Sequence, residues 1–180
     1  VVDHALPRIL RITPVETLFT PPVHRTSGMR LSGTVVQDAS TVLPDASIVV
    51  EDSQIAAVGD RETIREEYPD HESAAYDVLL PGLVGAHVHS VQSLGRGIAD
   101  DTELLDWLFE YILPMEASLS ADEMETAAKL GYLELIESGT TTAIDHLSVN
   151  HAERAFEAAG ALGIRGALGK VLMDQRSPDN

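Results

Sequence analysis

The chain of 180 residues is 44% apolar and carries a net charge of −17. This length and apolar content suffice for one domain, or two small ones, with a buried core. The charge opposes binding to nucleic acid or to an anionic membrane, because both would repel the protein. The chain contains no cysteine, so disulfides and thiolate chemistry are excluded and any metal must be held by His, Asp or Glu.

Two further properties concern the environment of the protein. No apolar stretch approaches the roughly 20 residues that a membrane helix needs, and no signal-peptide pattern is seen, so we expect a cytoplasmic protein. The acids are scattered along the chain, and only two lysines accompany ten arginines. Such a surface is typical of halophilic proteins, in which it maintains solubility. An ordinary acidic enzyme is the alternative.

Residues 1–28 differ from the rest of the chain. They contain four prolines, three arginines and two acids, a net charge of +1. They show no clear hydrophobic period, and Met29 follows them directly. We expect a disordered leader with Met29 as the natural start, with a short interaction arm as the alternative.

The segment from Met29 to about Leu80 has a β pattern. Runs of β-branched residues in MRLSGTVVQ and ASIVVEDSQIAAVGD are broken by turn residues, and Asp52-Ser53 suits a hairpin turn. We therefore predict a small antiparallel unit over residues 29–80.

After Pro81 strand and helix patterns alternate along the chain. The strand patterns are GLVGAHVHS, TTTAIDHLS and IRGALGKVLMD, and the helix patterns are DTELLDWLFEYILP, SADEMETAAKLGYLELIESG and NHAERAFEAAGALG. This βαβαβ order predicts an α/β fold with a parallel sheet, either doubly wound or closed into a barrel.

The ends and faces of these helices can also be predicted. Pro114 should close the first helix, because proline interrupts helical hydrogen bonding. Ser120 and Glu123 form a capping-box pattern at the start of the second helix, and Gly139 suits the position just after its end. The third helix presents one apolar face, made of Ala152, Ala155, Phe156 and Ala159.

The first predicted strand ends in a pair of histidines, His87 and His89. Because alternate residues of a strand share a face, we expect these two imidazoles on one face together with Leu83 and Gly85. The opposite face, formed by Val84, Ala86 and Val88, would meet the helices. The carboxyl end of a parallel sheet is where such folds place their active sites, so the pair suits half of a metal site. A solvated or core pair of histidines is the alternative.

The motifs of this region resemble a known family. Pro-Gly, the His-x-His pair, LGRGIADD, Trp107-Leu108 and LPMEASLS follow in the order and spacing seen in the amidohydrolase superfamily. The resemblance is to its deaminase and chlorohydrolase branch, which includes S-adenosylhomocysteine, methylthioadenosine and 5'-deoxyadenosine deaminases, guanine deaminase and triazine hydrolases. It covers residues 29–180. It implies the first three strands of a (β/α)8 TIM-type barrel over residues 81–180, preceded over residues 29–80 by part of a small β-sandwich.

The resemblance also implies a reaction and its cofactor. His87 and His89 would bind one divalent metal, with Zn²⁺ favoured over Fe²⁺. The reaction would be hydrolytic deamination of an adenosine-like nucleoside by metal-activated water, which attacks the carbon of a carbon-nitrogen bond. 5'-Deoxyadenosine, S-adenosylhomocysteine and methylthioadenosine are the expected substrates. Guanine deamination and triazine dechlorination are alternatives within the superfamily.

Three further residues fall where the family contacts its substrate. Trp107 would pack on the nucleoside and Glu116 would accept hydrogen bonds from ribose hydroxyls. Lys170 stands near a substrate-binding Arg of some relatives, although an ammonium does not reproduce the planar guanidinium. From the residues alone, Trp107 could be core, and Glu116 could be a solvated acid at a helix end.

The remainder of the active site is expected beyond Asn180. A (β/α)8 barrel needs about 250 residues, and only the first three strands fit after Leu80. The third metal histidine, the proton-transfer residues and a metal-binding Asp would follow. We therefore expect residues 1–180 alone to be inactive, and the full-length protein to be a homo-oligomer acting on a nucleoside or nucleobase. A non-catalytic fragment and a doubly wound domain with a structural histidine pair are the alternatives.

Overall fold

The computed structural model describes the backbone of residues 9–12 and all of residues 28–174. The chain divides into two compact units, residues 1–82 and residues 83–180. The described residues of the first unit form a five-stranded sheet in the order β1-β5-β2-β3-β4 and one helix. Their bounds are β1 Ile9–Ile12, β2 Met29–Val36, β3 Val42–Glu51, β4 Gln54–Asp60, α1 Arg61–Glu67 and β5 Glu72–Pro81.

The predicted hairpin turn is confirmed at Asp52-Ser53. These two residues join β3 to β4, and both have positive φ, 47° and 61°. Positive φ at both central positions is the geometry whose twist matches that of the flanking strands. β2, β3 and β4 pair antiparallel as predicted, but β5 pairs parallel with β2, so the sheet is mixed.

The predicted leader is not entirely without structure. Ile9–Ile12 forms strand β1, which pairs parallel with β5. The edge of β5 that does not pair with β2 presents backbone N–H and C=O groups, and a short segment rich in isoleucine can pair with them. Disorder is therefore not what the structure shows for these four residues, and the rest of residues 1–27 lies outside the described part of the chain.

The second unit is built on a three-stranded parallel sheet in the order β6-β7-β8. β6 is Leu83–Val88, β7 is Thr140–His146 and β8 is Arg165–Gly169. The connections contain a 3₁₀ helix at Ser90–Gly95, α2 at Leu104–Asp106, a π-helix at Trp107–Ile112, α3 at Leu113–Ser118, α4 at Ala121–Glu137 and α5 at Ala152–Leu162. The predicted parallel βαβαβ arrangement is confirmed.

Helix α4 begins and ends as its sequence predicts. The Ser120 hydroxyl accepts from the Glu123 amide, and the Glu123 carboxylate accepts from the Ser120 amide at 2.8 Å. Gly139, just past the helix, has φ of 84°, which glycine adopts at little cost. Both terminal predictions are confirmed.

The prediction that Pro114 closes the preceding helix is wrong. The helical chain continues through α3 to Ser118. The turn before Pro114 is a π-helix in which the Leu113 amide donates to the Leu108 carbonyl, five residues back. This wider turn accommodates Pro114, which lacks an amide donor. The helix therefore changes its hydrogen-bond pattern at this point and does not end.

The predicted apolar face of α5 is partly correct. Ala152, Ala155 and Ala159 are buried, as is Ala158, but Phe156 is 47% exposed. The face that meets the sheet is therefore narrow and made of small side chains. This allows α5 to lie close to α4 and the strands.

The core of the second unit lies on one face of its sheet. Val88, Ala143 and Leu168, one from each strand, pack with the buried residues of α4 and α5. On the opposite face Ile144 is 51% exposed, so that side of the sheet is open among the described residues. Among the helices that the structure describes, none has the length and apolar character needed to cross a bilayer.

Candidate metal centre

His87 and His89 lie at the carboxyl end of β6, as predicted, but the strand that carries them is irregular. Gly85 pairs with Ala143 and Val88 pairs with Asp145, so three steps of β6 match two steps of β7. Gly85 and Val88 consequently face the same side, and a Cβ on Gly85 would lie 2.9 Å from Val88. The prediction that Gly85 shares a face with the histidines is wrong, because this bulge interrupts the alternation.

The two imidazoles nevertheless converge. Their Nε2 atoms lie 3.1 Å apart, and the rings are nearly perpendicular, with centroids 4.8 Å apart. Two nitrogen ligands of one tetrahedral Zn²⁺ lie about 3.3 Å apart when each is about 2.05 Å from the metal. The observed separation therefore fits two ligands of one metal ion.

The tautomer of His89 is fixed by its neighbour in the sheet. Its Nδ1 atom lies 2.9 Å from the carbonyl oxygen of His146. Because a carbonyl only accepts hydrogen bonds, Nδ1 must carry the proton. The Nε2 atom of the neutral ring then presents a lone pair toward His87, as a metal ligand requires.

The electrostatic environment favours the neutral form of this ring. Burial lowers the pKa of His89, and charge on His87 or His146 would lower it further. The hydrogen bond to the His146 carbonyl and the Asp145 carboxylate oppose this change. Within residues 28–174 no group of three or more His, Asp or Glu side chains could hold a metal, so the described part of the chain does not form a complete metal site.

A buried hydrogen-bond network lies next to the pair. Asp145 is 2% exposed, and its carboxylate accepts from the amide and hydroxyl of Ser90 and from the Tyr132 hydroxyl. Ser90 directly follows His89, and Tyr132 projects from α4. The network joins the ends of β6 and β7 to the helix that covers them.

Glu116 is not the solvated acid that the alternative interpretation describes. It is 6% exposed, and its carboxylate accepts from the Gln92 amide group at 2.8 Å. Burial raises the pKa of Glu116, and the bond from Gln92 partly opposes the change. Since Gln92 belongs to the 3₁₀ helix after His89, this bond links Glu116 to the segment that leaves the histidine pair.

Trp107 and Lys170 occupy separate segments. Trp107 is half-buried at the start of the π-helix, a kind of irregularity common at functional sites. Lys170 is exposed and directly follows β8, whose end is bonded to the end of β7 through the Leu147 amide and the Gly169 carbonyl. The structure thus brings His87, His89 and His146 together, and places Lys170 at the same edge of the sheet.

The residues that sequence reasoning missed are Ser90, Gln92 and Tyr132. Tyr132 lies on the buried face of α4 with Met124 and Ala128. The spacing of these three residues therefore predicts that Tyr132 belongs to the hydrophobic core. A tyrosine hydroxyl in a core requires a partner, and this is the signal that could have revealed the network.

Comparison with known proteins identifies the family of the chain. The model of the amidohydrolase family matches residues 78–180, the whole of the unit that carries the histidine pair. The chain belongs to the amidohydrolase family. Residues 48–70 match an imidazolonepropionase-like composite domain of bacteria.

Several relatives of this amidohydrolase are known. It is 40% identical over 127 residues to 5-methylthioadenosine/S-adenosylhomocysteine deaminase of Syntrophobacter fumaroxidans, covering 69% of the chain and 28% of that relative. Guanine deaminase of Bradyrhizobium japonicum superposes with a TM-score of 0.73 at 26% identity, over 84% of this chain and 36% of the other. Atrazine chlorohydrolase of Arthrobacter aurescens superposes with a TM-score of 0.69 at 24% identity, over 79% and 35%.

Proposed function

We propose that this amidohydrolase is part of a metal-dependent cytoplasmic deaminase of adenosine-like nucleosides, with methylthioadenosine, S-adenosylhomocysteine and 5'-deoxyadenosine as substrates. The observation that carries the proposal is the histidine pair, whose Nε2 atoms lie 3.1 Å apart with the His89 tautomer set for ligation. The name of the relative from Syntrophobacter fumaroxidans supports the substrate class. The chain spans 28% of that relative's length, so the remaining groups of the site would come from further residues.

The histidines would hold one divalent cation, Zn²⁺ or alternatively Fe²⁺. Such a metal supplies Lewis acidity and lowers the pKa of water that it carries. His89 contributes a neutral nitrogen because its proton is held on Nδ1 by the His146 carbonyl. In the overall reaction water adds oxygen to the carbon bearing the exocyclic amine, the carbon-nitrogen bond breaks, and ammonia leaves.

Substrate binding is assigned to three residues. Glu116, held by Gln92 and shielded from water, would accept hydrogen bonds from the ribose hydroxyls. Trp107 would pack against the nucleoside. Lys170 at the end of β8 would contact a polar group of the substrate as a point charge.

The architecture that we propose is a (β/α)8 barrel of which β6, β7 and β8 are the first three strands, with the sheet of residues 29–80 as part of a small β-sandwich. The open face of the three-stranded sheet, where Ile144 is exposed, would become the barrel interior. We propose that the full-length enzyme forms a homo-oligomer.

A second candidate is deamination of guanine. The TM-score of 0.73 to guanine deaminase favours it, because the two folds superpose over 84% of this chain. Triazine dechlorination is supported by fold alone. These reactions share the hydrolytic attack and differ in the pocket.

Ammonia release by the full-length protein tests the proposal. The substrates are methylthioadenosine, S-adenosylhomocysteine, 5'-deoxyadenosine, adenosine and guanine, each assayed with Zn²⁺ and after chelation. We expect chelation-sensitive activity with the 5'-modified nucleosides to exceed that with guanine. Activity with guanine alone would favour the second candidate. Absence of ammonia from every substrate, in a folded protein with bound metal, would contradict deamination and leave triazine dechlorination, which releases chloride, and the non-catalytic interpretation.

A further inference from the structure

We propose that Asp145 is a positioning residue for the metal ligand His89. Asp145 holds His89 in place through Ser90, and Tyr132 in turn holds the carboxylate of Asp145. This inference rests on the proposed metal site at His87 and His89. It assigns a role to a buried carboxylate that would not itself touch the metal or the substrate.

The first set of contacts fixes the main chain around His89. Oδ1 of Asp145 accepts from the Ser90 amide at 3.2 Å, and Oδ2 accepts from the Ser90 hydroxyl. Ser90 is the residue after His89, and Val88, the residue before it, is paired with Asp145 in the sheet. The backbone of His89 is therefore fixed on both sides by contacts to one residue of β7.

The second contact orients the imidazole ring of His89. The carbonyl oxygen of His146, the residue after Asp145, lies 2.9 Å from Nδ1 of His89. Two consecutive residues of β7 thus set the position of the His89 backbone and the direction of its Nε2 lone pair. A shift of Asp145 would disturb both.

Tyr132 also binds the carboxylate of Asp145. Its hydroxyl donates to Oδ2 of Asp145 at 2.8 Å, and its side chain is fully buried in α4. Burial raises the pKa of Tyr132 well above its ordinary value, so the hydroxyl keeps its proton and stays a donor. Tyr132 therefore transmits the position of α4 to the end of β7.

The chemistry of Asp145 argues against a purely structural role. Burying a carboxylate is unfavourable unless several donors compensate for the lost water, and an apolar residue of similar size would stabilise a core at lower cost. The negative charge lies next to the site where a divalent cation would bind. It would therefore attract the metal as well as orient its ligand.

The test compares metal affinity with fold stability in the full-length protein. The variants are Asp145→Asn and Tyr132→Phe, with Ala158→Gly as a control that disturbs the same core away from the network. The readouts are the Zn²⁺ dissociation constant from competition with a chromophoric chelator, the Tm of the metal-free protein, and the visible spectrum of the Co²⁺ form. We expect Asp145→Asn to weaken Zn²⁺ binding by about 10- to 100-fold and to change the Co²⁺ spectrum.

Tyr132→Phe, which keeps the charge and the ring, should weaken Zn²⁺ binding by about 3- to 10-fold. Ala158→Gly should lower the Tm without changing the affinity. If both network variants lower only the Tm and bind Zn²⁺ as the parent does, the inference is overturned. If Asp145→Asn does not fold, Tyr132→Phe alone decides.

A His87→Ala variant measured in parallel separates the positioning role from the metal site. Loss of metal there, with unchanged affinity in the network variants, refutes only the positioning role, whereas unchanged affinity in His87→Ala refutes the metal site itself.

Discussion

The Nδ1 atom of His89 lies 2.9 Å from the carbonyl oxygen of His146, so the backbone of one strand determines the tautomer of a histidine on the next. His146 acts in this contact through its main chain. Its imidazole is exposed, with its centroid 5.3 Å from that of His89. The two histidines should therefore respond very differently to removal of the ring.

We expect His89→Ala to lose the metal and to reduce deaminase activity to below about 1% of the parent, because one of the proposed ligands is gone. His146→Ala should keep metal affinity within about threefold, since the carbonyl that orients His89 remains. Metal content by elemental analysis and ammonia release check both variants. A His146→Ala protein that lost its metal would show that the His146 ring is itself a ligand.

Glu116 offers a prediction about substrate binding. Replacing the carboxylate by an amide, Glu116→Gln, should raise KM for ribose-containing substrates by about 10- to 100-fold, because hydrogen bonds to a charged acceptor are lost. The kcat should change less. Steady-state kinetics of ammonia release measure both constants. The control for a nonspecific loss of charge is Glu110→Gln, which alters an exposed carboxylate of the preceding π-helix. An unchanged KM in Glu116→Gln would show that Glu116 does not contact the nucleoside.

The same residue predicts a dependence of stability on pH. Burial raises the folded-state pKa of Glu116 above its ordinary value of 4.5. At pH values between the ordinary pKa and the folded-state pKa, the folded protein therefore keeps a proton on Glu116 that the unfolded chain has released. The free energy of unfolding therefore falls as pH rises through the interval between the two pKa values. Glu116→Gln has no proton to lose, so it should match the parent at about pH 4 and exceed it at about pH 8 in denaturant unfolding. If Glu116→Gln and the parent had equal free energies of unfolding at both pH values, burial would not raise the pKa of Glu116.

Two helical glycines give a matched pair of substitutions. A Cβ on Gly131 of α4 would lie 2.6 Å from the Ser90 carbonyl oxygen and 2.9 Å from its Cα. Backbone cannot yield as a flexible side chain does, so Gly131→Ala should lower the free energy of unfolding by about 1–3 kcal/mol. It should also weaken metal binding, because Ser90 follows His89.

Gly160 of α5 is the control, since a Cβ there would meet nothing within 4 Å. Gly160→Ala should raise the free energy of unfolding by about 0.5–1 kcal/mol and leave metal affinity unchanged. Thermal unfolding and Zn²⁺ competition measure both variants. A Gly131→Ala protein as stable as the parent would show that α4 and the 3₁₀ helix are not in the close contact described.

The local rules that sequence reasoning used succeeded where one interaction decides the structure. The capping box at Ser120 and the turn at Asp52-Ser53 depend on neighbouring residues, and the histidine pair lies at the strand end that alternation and topology predict. Prediction failed where distant parts of the chain compete with a local rule. The π-helix rewinds the chain around Pro114, and a bulge in β6 moves Gly85 to the helix side.

The network around Asp145 could not be predicted for a related reason. Its three members lie at positions 90, 132 and 145 and meet only when β6, β7 and α4 are packed together. Polar residues at such distances carry no periodic signal. The buried Tyr132, placed on an apolar helical face, was the one local indication of a polar partner.

The acidic composition predicts that stability depends on salt. With a net charge of −17, repulsion between carboxylates favours the unfolded chain at low ionic strength. The Debye length falls from about 10 Å at 0.1 M salt to about 3 Å at 1 M, so added salt screens this repulsion. It also weakens surface ion pairs such as Arg96–Glu134 and Arg154–Asp122, but exposed pairs contribute little. The Tm of the full-length protein should therefore rise between about 0.1 M and about 2 M KCl. Sucrose at matched osmolality is the control for general exclusion from the surface, and a Tm that is flat or falls in KCl would contradict halophilic adaptation.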